Sequence, residues 1–226
     1  MFKLSHKELL EIKFWLTCNL SEEQDKLPQY LSIWGNPEKL YVHSQQCGIT
    51  RWKENPDKRD GIPNICTCHL DDVSILEIGT GPQYGFLKSL EARLKYGVDP
   101  LYKTFHALGI LAERDSIFEV PIPFEFWDTD LQFDAIFTAN ALDHGEMGFH
   151  LIPKIWKLLK PGGRVYLHVH LRPKDLLNIL HDHSLTEKQL DKHLSYTNLV
   201  QVERKIFEND IDGKFCQALV GIWEKP

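Results

Sequence analysis

No run of apolar residues in this 226-residue chain approaches the roughly 20 that a membrane-spanning helix needs. The opening residues, Met1-Phe-Lys-Leu-Ser-His-Lys-Glu8, lack the apolar core of a secretory signal, so a cytoplasmic location is the expectation. Basic clusters are also missing. With a formal net charge of -6, the chain shows none of the lysine and arginine crowding that marks nucleic-acid binders. Cysteine is sparse and odd in number: the five residues Cys18, Cys47, Cys66, Cys68 and Cys216 read as reduced thiols rather than a disulfide framework. Internal repeats and low-complexity segments are absent too.

What is present is an ordinary globular balance, 42% hydrophobic and 26% charged, enough for one domain with an appendage. The first seventy residues have their own texture. Leu4 to Leu16 can form an amphipathic helix with Leu9, Ile12 and Leu16 at helical spacing. Residues 28 to 70 then mix turn formers with aromatics, among them Trp34, Tyr41 and Trp52. Such a segment either caps a pocket mouth or packs against the main sheet. The division expected is a cap over residues 1–70 and an α/β domain over 71–226.

From Val73 the chain alternates strands and helices. Strands are expected at Val73–Ile78, Tyr96–Asp99, Ser116–Val120, Phe133–Thr138 and Arg164–His170. Helices are expected at Tyr84–Lys95, at Leu101–Leu111 and from Pro153 to the stop at Pro161-Gly-Gly163. That alternation predicts a mostly parallel sheet with helices on both faces. Thr186-Glu-Lys-Gln189 reads as a capping box. Leu199–Phe207 and Phe215–Trp223, joined by Asn209-Asp-Ile-Asp-Gly213, read as a closing antiparallel hairpin.

Glu77-Ile-Gly-Thr-Gly-Pro82 lies where a strand ends and a helix begins, the place where open α/β sheets bind ligands. Its spacing is wrong for a dinucleotide: after Gly79 and Gly81 a third glycine would fall at Tyr84, and Gly85 comes one residue late. No lysine follows the glycines, which excludes a P-loop. Glu77 would repel a pyrophosphate but can pair with an ammonium, and Asp99 can accept both hydroxyls of a ribose. These two acids suit a ligand with a cationic amino-acid end, a ribose and no phosphate.

With Gly97-Val-Asp99, Phe133-Asp-Ala-Ile-Phe-Thr-Ala-Asn140 and Leu158-Leu-Lys-Pro-Gly-Gly-Arg164 following in order, the chain resembles class I S-adenosylmethionine-dependent methyltransferases. It is most similar to the type 11 methyltransferase domain, over roughly Asp71 to Val169. The resemblance implies a Rossmann-like fold with S-adenosylmethionine as cofactor. It places Gly79, Thr80 and Gly81 along the methionine part, with Glu77 supporting the loop and Asp99 on the ribose. Thr138, Ala139 and Asn140 would approach the methionine end. Glu119 is the nearest match to the acidic residue that meets the adenine amino group. The loop Pro82-Gln-Tyr84 lacks the family's extra glycine, so Tyr84 would crowd or close the site.

In methyl transfer the cofactor carries the reactive group, and the protein supplies alignment and, where needed, a base. His144, in the loop after the fourth strand, is the first candidate base for a hydroxyl acceptor, and His170 near the end of the fifth strand is the second. Asp143, Arg172, His181 and His183 join Tyr84 as substrate-side candidates, Arg172 as a clamp for a carboxylate or phosphate. The polar stretch Leu177–His183 is similar to segments in methyltransferases of polysaccharide and natural-product clusters. Pairs such as His168-x-His170 and His181-x-His183, with Asp143 or Asp182, are too loosely spaced to argue for a metal. Cys66-x-Cys68-His69 with distant Cys47 is equally thin as a zinc site, and no metal is expected. The function expected is O-methylation of a small polar acceptor. N- or C-methylation on another acceptor, protein and nucleic acid included, and a non-catalytic scaffold that keeps the pocket stand as alternatives. A nicotinamide oxidoreductase fits Asp99 but neither Glu77 nor the glycine spacing. The oligomeric state is open.

Overall fold

The computed structural model describes residues 5, 7–13, 73–82, 84, 87, 92–111, 116–139, 141–143, 148–171, 185–211 and 214–226. Seven strands form one sheet in the order β3-β2-β1-β4-β5-β7-β6. They are β1 (Ser74–Ile78), β2 (Leu94–Val98), β3 (Ile117–Val120), β4 (Phe133–Ala139), β5 (Leu159–Leu171), β6 (Val200–Ile211) and β7 (Lys214–Glu224). The first five run parallel. β7 lies antiparallel to β5 and carries β6 as an antiparallel hairpin partner. The mostly parallel sheet anticipated from the alternation is therefore the one found, closing hairpin included.

Central strands buried on both sides are mostly apolar, and all five residues of β1 are buried, Ser74 and Glu77 with hydrogen-bond partners. One face packs Ile75, Ala135, Phe137, Ala139 and Tyr166 against Leu87, Leu101, Tyr102 and Phe105. The opposite face sets Leu76, Ile78, Ile136, Val165 and Leu167 against Ile152, Ile155, Leu158 and Leu190. The α-helical spans among the described residues include α1 (residues 7–13), α2 (Tyr102–Leu108), α3 (Ile152–Leu158) and α4 (Glu187–Leu194). Helix α1 is opened by a reciprocal cap, the Ser5 amide donating to Glu8 Oε2 at 2.6 Å and the Glu8 amide to Ser5 Oγ at 3.2 Å. It buries Ile12 in the first core, whereas Leu9 is half exposed, so Leu9 is not on the packed face. Thr186 and Gln189 form both bonds of the capping box expected for α4.

Two element boundaries depart from expectation. The helix expected to run through Lys95 stops earlier, because Leu94 and Lys95 already pair with Ser74 and Ile75 as the start of β2. Strand β5 begins at Leu159, directly after α3, five residues ahead of Arg164. Lys160-Pro-Gly-Gly163 forms a wide bulge, the register jumping from Phe133–Leu159 to Ala135–Arg164. Gly162, at φ 74°, donates its amide to Lys225 O at 2.7 Å, and the Lys225 amide returns to Gly163 O at 2.9 Å. The C-terminal strand thus satisfies backbone groups that the bulge removes from the ladder. Among the described residues no helix is long and apolar enough to cross a membrane.

Candidate functional site

Strand order reverses between β1 and β4, since β2 and β3 continue to one side and β4 begins the other. The crevice beyond the carboxyl ends of the strands at such a switch is where open α/β sheets take ligands. The glycine turn closes over it. Gly79 (φ 72°) and Gly81 (φ 60°) are both left-handed, a conformation that costs other residues free energy. The Gly79 amide donates to Val98 O at 2.8 Å, which ties the turn to β2. A Cβ on Gly79 would lie 2.3 Å from Ala141 Cβ, so the absence of a side chain lets the turn and the chain leaving β4 approach each other.

Asp99 holds the other wall. Its Oδ2 accepts from the Gly81 amide and its Oδ1 from the Leu101 amide, each at 2.9 Å. Burial raises the carboxyl to about 6, against the two amide bonds, which favour the charged form. Glu77, fully buried at the end of β1, accepts from the Leu87 amide at 3.1 Å and so caps the chain after the turn. That contact fits a loop-supporting carboxylate.

Parity across the sheet puts Glu77, Gly97, Glu119, Phe137 and Tyr166 in one row on one face. Glu119 therefore faces the helices beside the glycine turn. It accepts from the Tyr84 hydroxyl through Oε1 and pairs with His106 Nε2 through Oε2 at 2.7 Å. Tyr84 is fully buried at φ 57° and its ring lies 5.7 Å from that of Tyr102. Thr80 is buried and bonds the Tyr102 hydroxyl. Asp143 is fully buried just beyond β4.

His168 and His170 project from one face of β5, both buried, their rings edge to face at 5.2 Å. Among the described residues no group of three metal-ligating side chains forms. His144, Asn140, Arg172, His181 and His183 lie outside the described residues, as do Asp182 and the Cys47, Cys66, Cys68 and His69 set. The structure thus brings together Glu77, Gly79, Thr80, Gly81, Asp99, Glu119 and Tyr84 around one turn.

Two residues near this turn carried no role in the sequence reading. Tyr102 reaches under the turn from the start of α2. Glu11 stands on α1, where burial and then the charge of Asp99 push its carboxyl up to about 8, opposed by Lys7. The only local signal for Glu11 is its place beside Ile12, which buries that stretch of α1 against Tyr84, Leu87 and Tyr102.

No family model matches the chain, and no curated protein matches it in sequence. Solved structures match it in fold. The N-methyltransferase NodS from Bradyrhizobium japonicum WM9, in complex with S-adenosyl-L-homocysteine, aligns with a TM-score of 0.60 at 18% identity, over 94% of this chain and 98% of that one. Magnesium protoporphyrin IX methyltransferase (ChlM) from Synechocystis PCC 6803, with bound S-adenosylmethionine, aligns at 0.58 and 14% identity over 100% of both chains. A complex of the Haloferax volcanii Trm112 methyltransferase activator with a methyltransferase aligns at 0.54 and 13% identity, over 82% of this chain and 95% of that one. At such identities the likeness is one of fold: the Rossmann-like fold of S-adenosylmethionine-dependent methyltransferases.

Proposed function

We propose that the chain is a methyltransferase that binds S-adenosylmethionine in the crevice between the glycine turn and Asp99 and methylates a hydroxyl of a small polar acceptor, such as a sugar or secondary metabolite. The observation that carries this reading is the pair of walls at the switch point. Gly79 lets the turn pack directly on Ala141 beyond β4, and Asp99 is fixed at the end of β2 by two backbone donors. Each carboxylate oxygen spends one lone pair on an amide, which leaves acceptor capacity for the two hydroxyls of a ribose. The third glycine of a dinucleotide fingerprint would fall at Tyr84, and Glu77 disfavours a pyrophosphate.

When bound, the cofactor supplies an electrophilic methyl on a sulfonium. Gly79, Thr80 and Gly81 would line its methionine end, Glu77 would hold the loop, and Asn140 is assigned to the same end. Glu119 lies toward the adenine side, where it orders Tyr84. The substrate side is assigned to Asp143, Arg172, His181 and His183, whereas Tyr84, expected there from the sequence, is buried with its hydroxyl on Glu119. His144 takes the acceptor proton as the hydroxyl attacks, and His170 is the second candidate for that step. Transfer to nitrogen is the alternative, because the fold neighbours include an N-methyltransferase. An amine acceptor needs less help from a base.

The test is calorimetric titration with S-adenosylmethionine and S-adenosylhomocysteine on the wild type and Asp99→Ala. Binding of both ligands, sharply weakened by the substitution, supports the cofactor assignment and opens an acceptor screen. A folded protein that binds neither at millimolar concentration overturns it.

A further inference from the structure

Beneath the glycine turn lies an arrangement of three residues from three elements. Tyr102, the first residue of α2, is fully buried, and its hydroxyl bonds Thr80 Oγ1 inside the turn. Thr80 Oγ1 in turn reaches Gly81 O at 3.2 Å. A consistent assignment has Tyr102 donating to Thr80 and Thr80 donating to the carbonyl of the next residue. The space for this contact comes from β2. A Cβ on Gly97 would lie 2.2 Å from the Tyr102 hydroxyl oxygen and 3.0 Å from Thr80 Cγ2.

The same stretch of α2 controls the other wall, because the amide of Leu101, next to Tyr102, donates to Asp99. Burial holds the Tyr102 hydroxyl far above its ordinary ionisation range, so it stays a neutral hydrogen-bonding group at any working pH.

We propose that Tyr102 is a positioning residue for the cofactor: its hydroxyl, in the space that Gly97 leaves, fixes Thr80 and thereby sets the glycine turn against the methionine end of the ligand. The inference rests on the methyltransferase reading and adds to it a residue 22 positions from its partner. Its logic is preorganisation. A turn containing two left-handed glycines has many conformations to lose on binding, and a buried anchor removes part of that cost beforehand.

The experiment compares wild type, Tyr102→Phe, Thr80→Val and the double variant, by S-adenosylhomocysteine Kd and by the thermal midpoint of the free protein. Phe keeps the ring and its packing, so only the hydroxyl is removed. Tyr102→Phe and Thr80→Val are each expected to weaken ligand binding about three- to tenfold. The double variant is expected to be no weaker than the worse single, since both remove one bond. Gly97→Ala should weaken binding strongly in the wild type and less in the Tyr102→Phe background, where the displaced oxygen is gone.

Tyr102→Phe binding as tightly as wild type, or effects of the two singles that multiply in the double, would overturn the proposal while leaving the methyltransferase reading intact. Wild type that fails to bind overturns both. The thermal midpoints then still report whether the Tyr102–Thr80 bond exists in the free protein.

Discussion

The amide of Gly81 donates to Asp99 Oδ2 at 2.9 Å, so the glycine turn after β1 and the acid after β2 are one hydrogen-bonded unit. A ligand that meets one of them meets both.

Asp99 ionises near pH 6 in the free protein, and only the charged form has full acceptor capacity for two ligand hydroxyls. Affinity for S-adenosylhomocysteine is expected to rise between pH 5 and 7, approaching about tenfold per unit at the acid end. In Asp99→Asn that dependence flattens and binding is weaker at every pH. Calorimetric titration across the range checks both statements; an unchanged slope in the variant excludes Asp99 as the titrating group.

Stability has the opposite slope from this residue. Its native value is raised from 3.8 to about 6, so the folded state holds a proton that the unfolded chain releases between those limits. The contribution is complete below pH 4 and lost as pH rises through 6, amounting to about 3 kcal/mol. The free-energy difference between wild type and Asp99→Asn, from urea unfolding at pH 4.5 and 7, reports it together with its coupling to Glu11. Wild type should lose stability relative to the variant as pH rises.

Gly79→Ala places a Cβ 2.3 Å from that of Ala141 on a backbone at φ 72°. Strain and overlap together are expected to cost about 2–4 kcal/mol and to abolish cofactor binding. Adding Ala141→Gly removes the overlap but not the strain, so part of the stability returns. Chemical denaturation of the two singles and the double gives the coupling.

Asp134 works far from the site. Its Oδ2 accepts from the Ser74 amide, the Ser74 hydroxyl and Lys160 Nζ, each at 2.7 Å, and joins β1, β4 and the bulge. Burial alone would raise its carboxyl, but these donors hold it below the ordinary range, so its stabilisation is present at neutral pH and lost on acidification. Asp134→Ala is expected to lower stability by about 1–3 kcal/mol, with ligand affinity unchanged within twofold. Thermal unfolding and titration separate the two.

For the chemistry, His144→Gln is expected to lower kcat about 10²–10⁴-fold and to remove the acid limb of its pH profile, at unchanged S-adenosylhomocysteine affinity. Turnover surviving substitution of both His144 and His170 would favour a nitrogen acceptor.

Local patterns carried much of the architecture. The apolar run of β1, the glycines after it, the Thr186–Gln189 capping box and the two long strands of the hairpin act through near neighbours or through burial common to a whole strand. The position of Asp99 at a strand end was legible for the same reason; its bonds to the Gly81 and Leu101 amides were not. Boundaries were less legible. Whether Leu94 joins a helix or a strand depends on Ser74, its partner in β1, and Leu159 enters β5 through pairing with Phe133.

The tertiary structure decided which side chains share the turn. Glu119 is a carboxylate near the end of β3 in sequence, but strand parity turns it toward Tyr84 and His106. Tyr102 sits 22 residues from Thr80, and Glu11 lies 88 positions before Asp99; helix packing brings each pair together. By itself the sequence determined the strands, the turn and the acid, because secondary structure and glycine conformation answer to short-range forces. The anchoring of that turn was left to the fold, because a side chain's partner depends on the face it occupies and on what packs there.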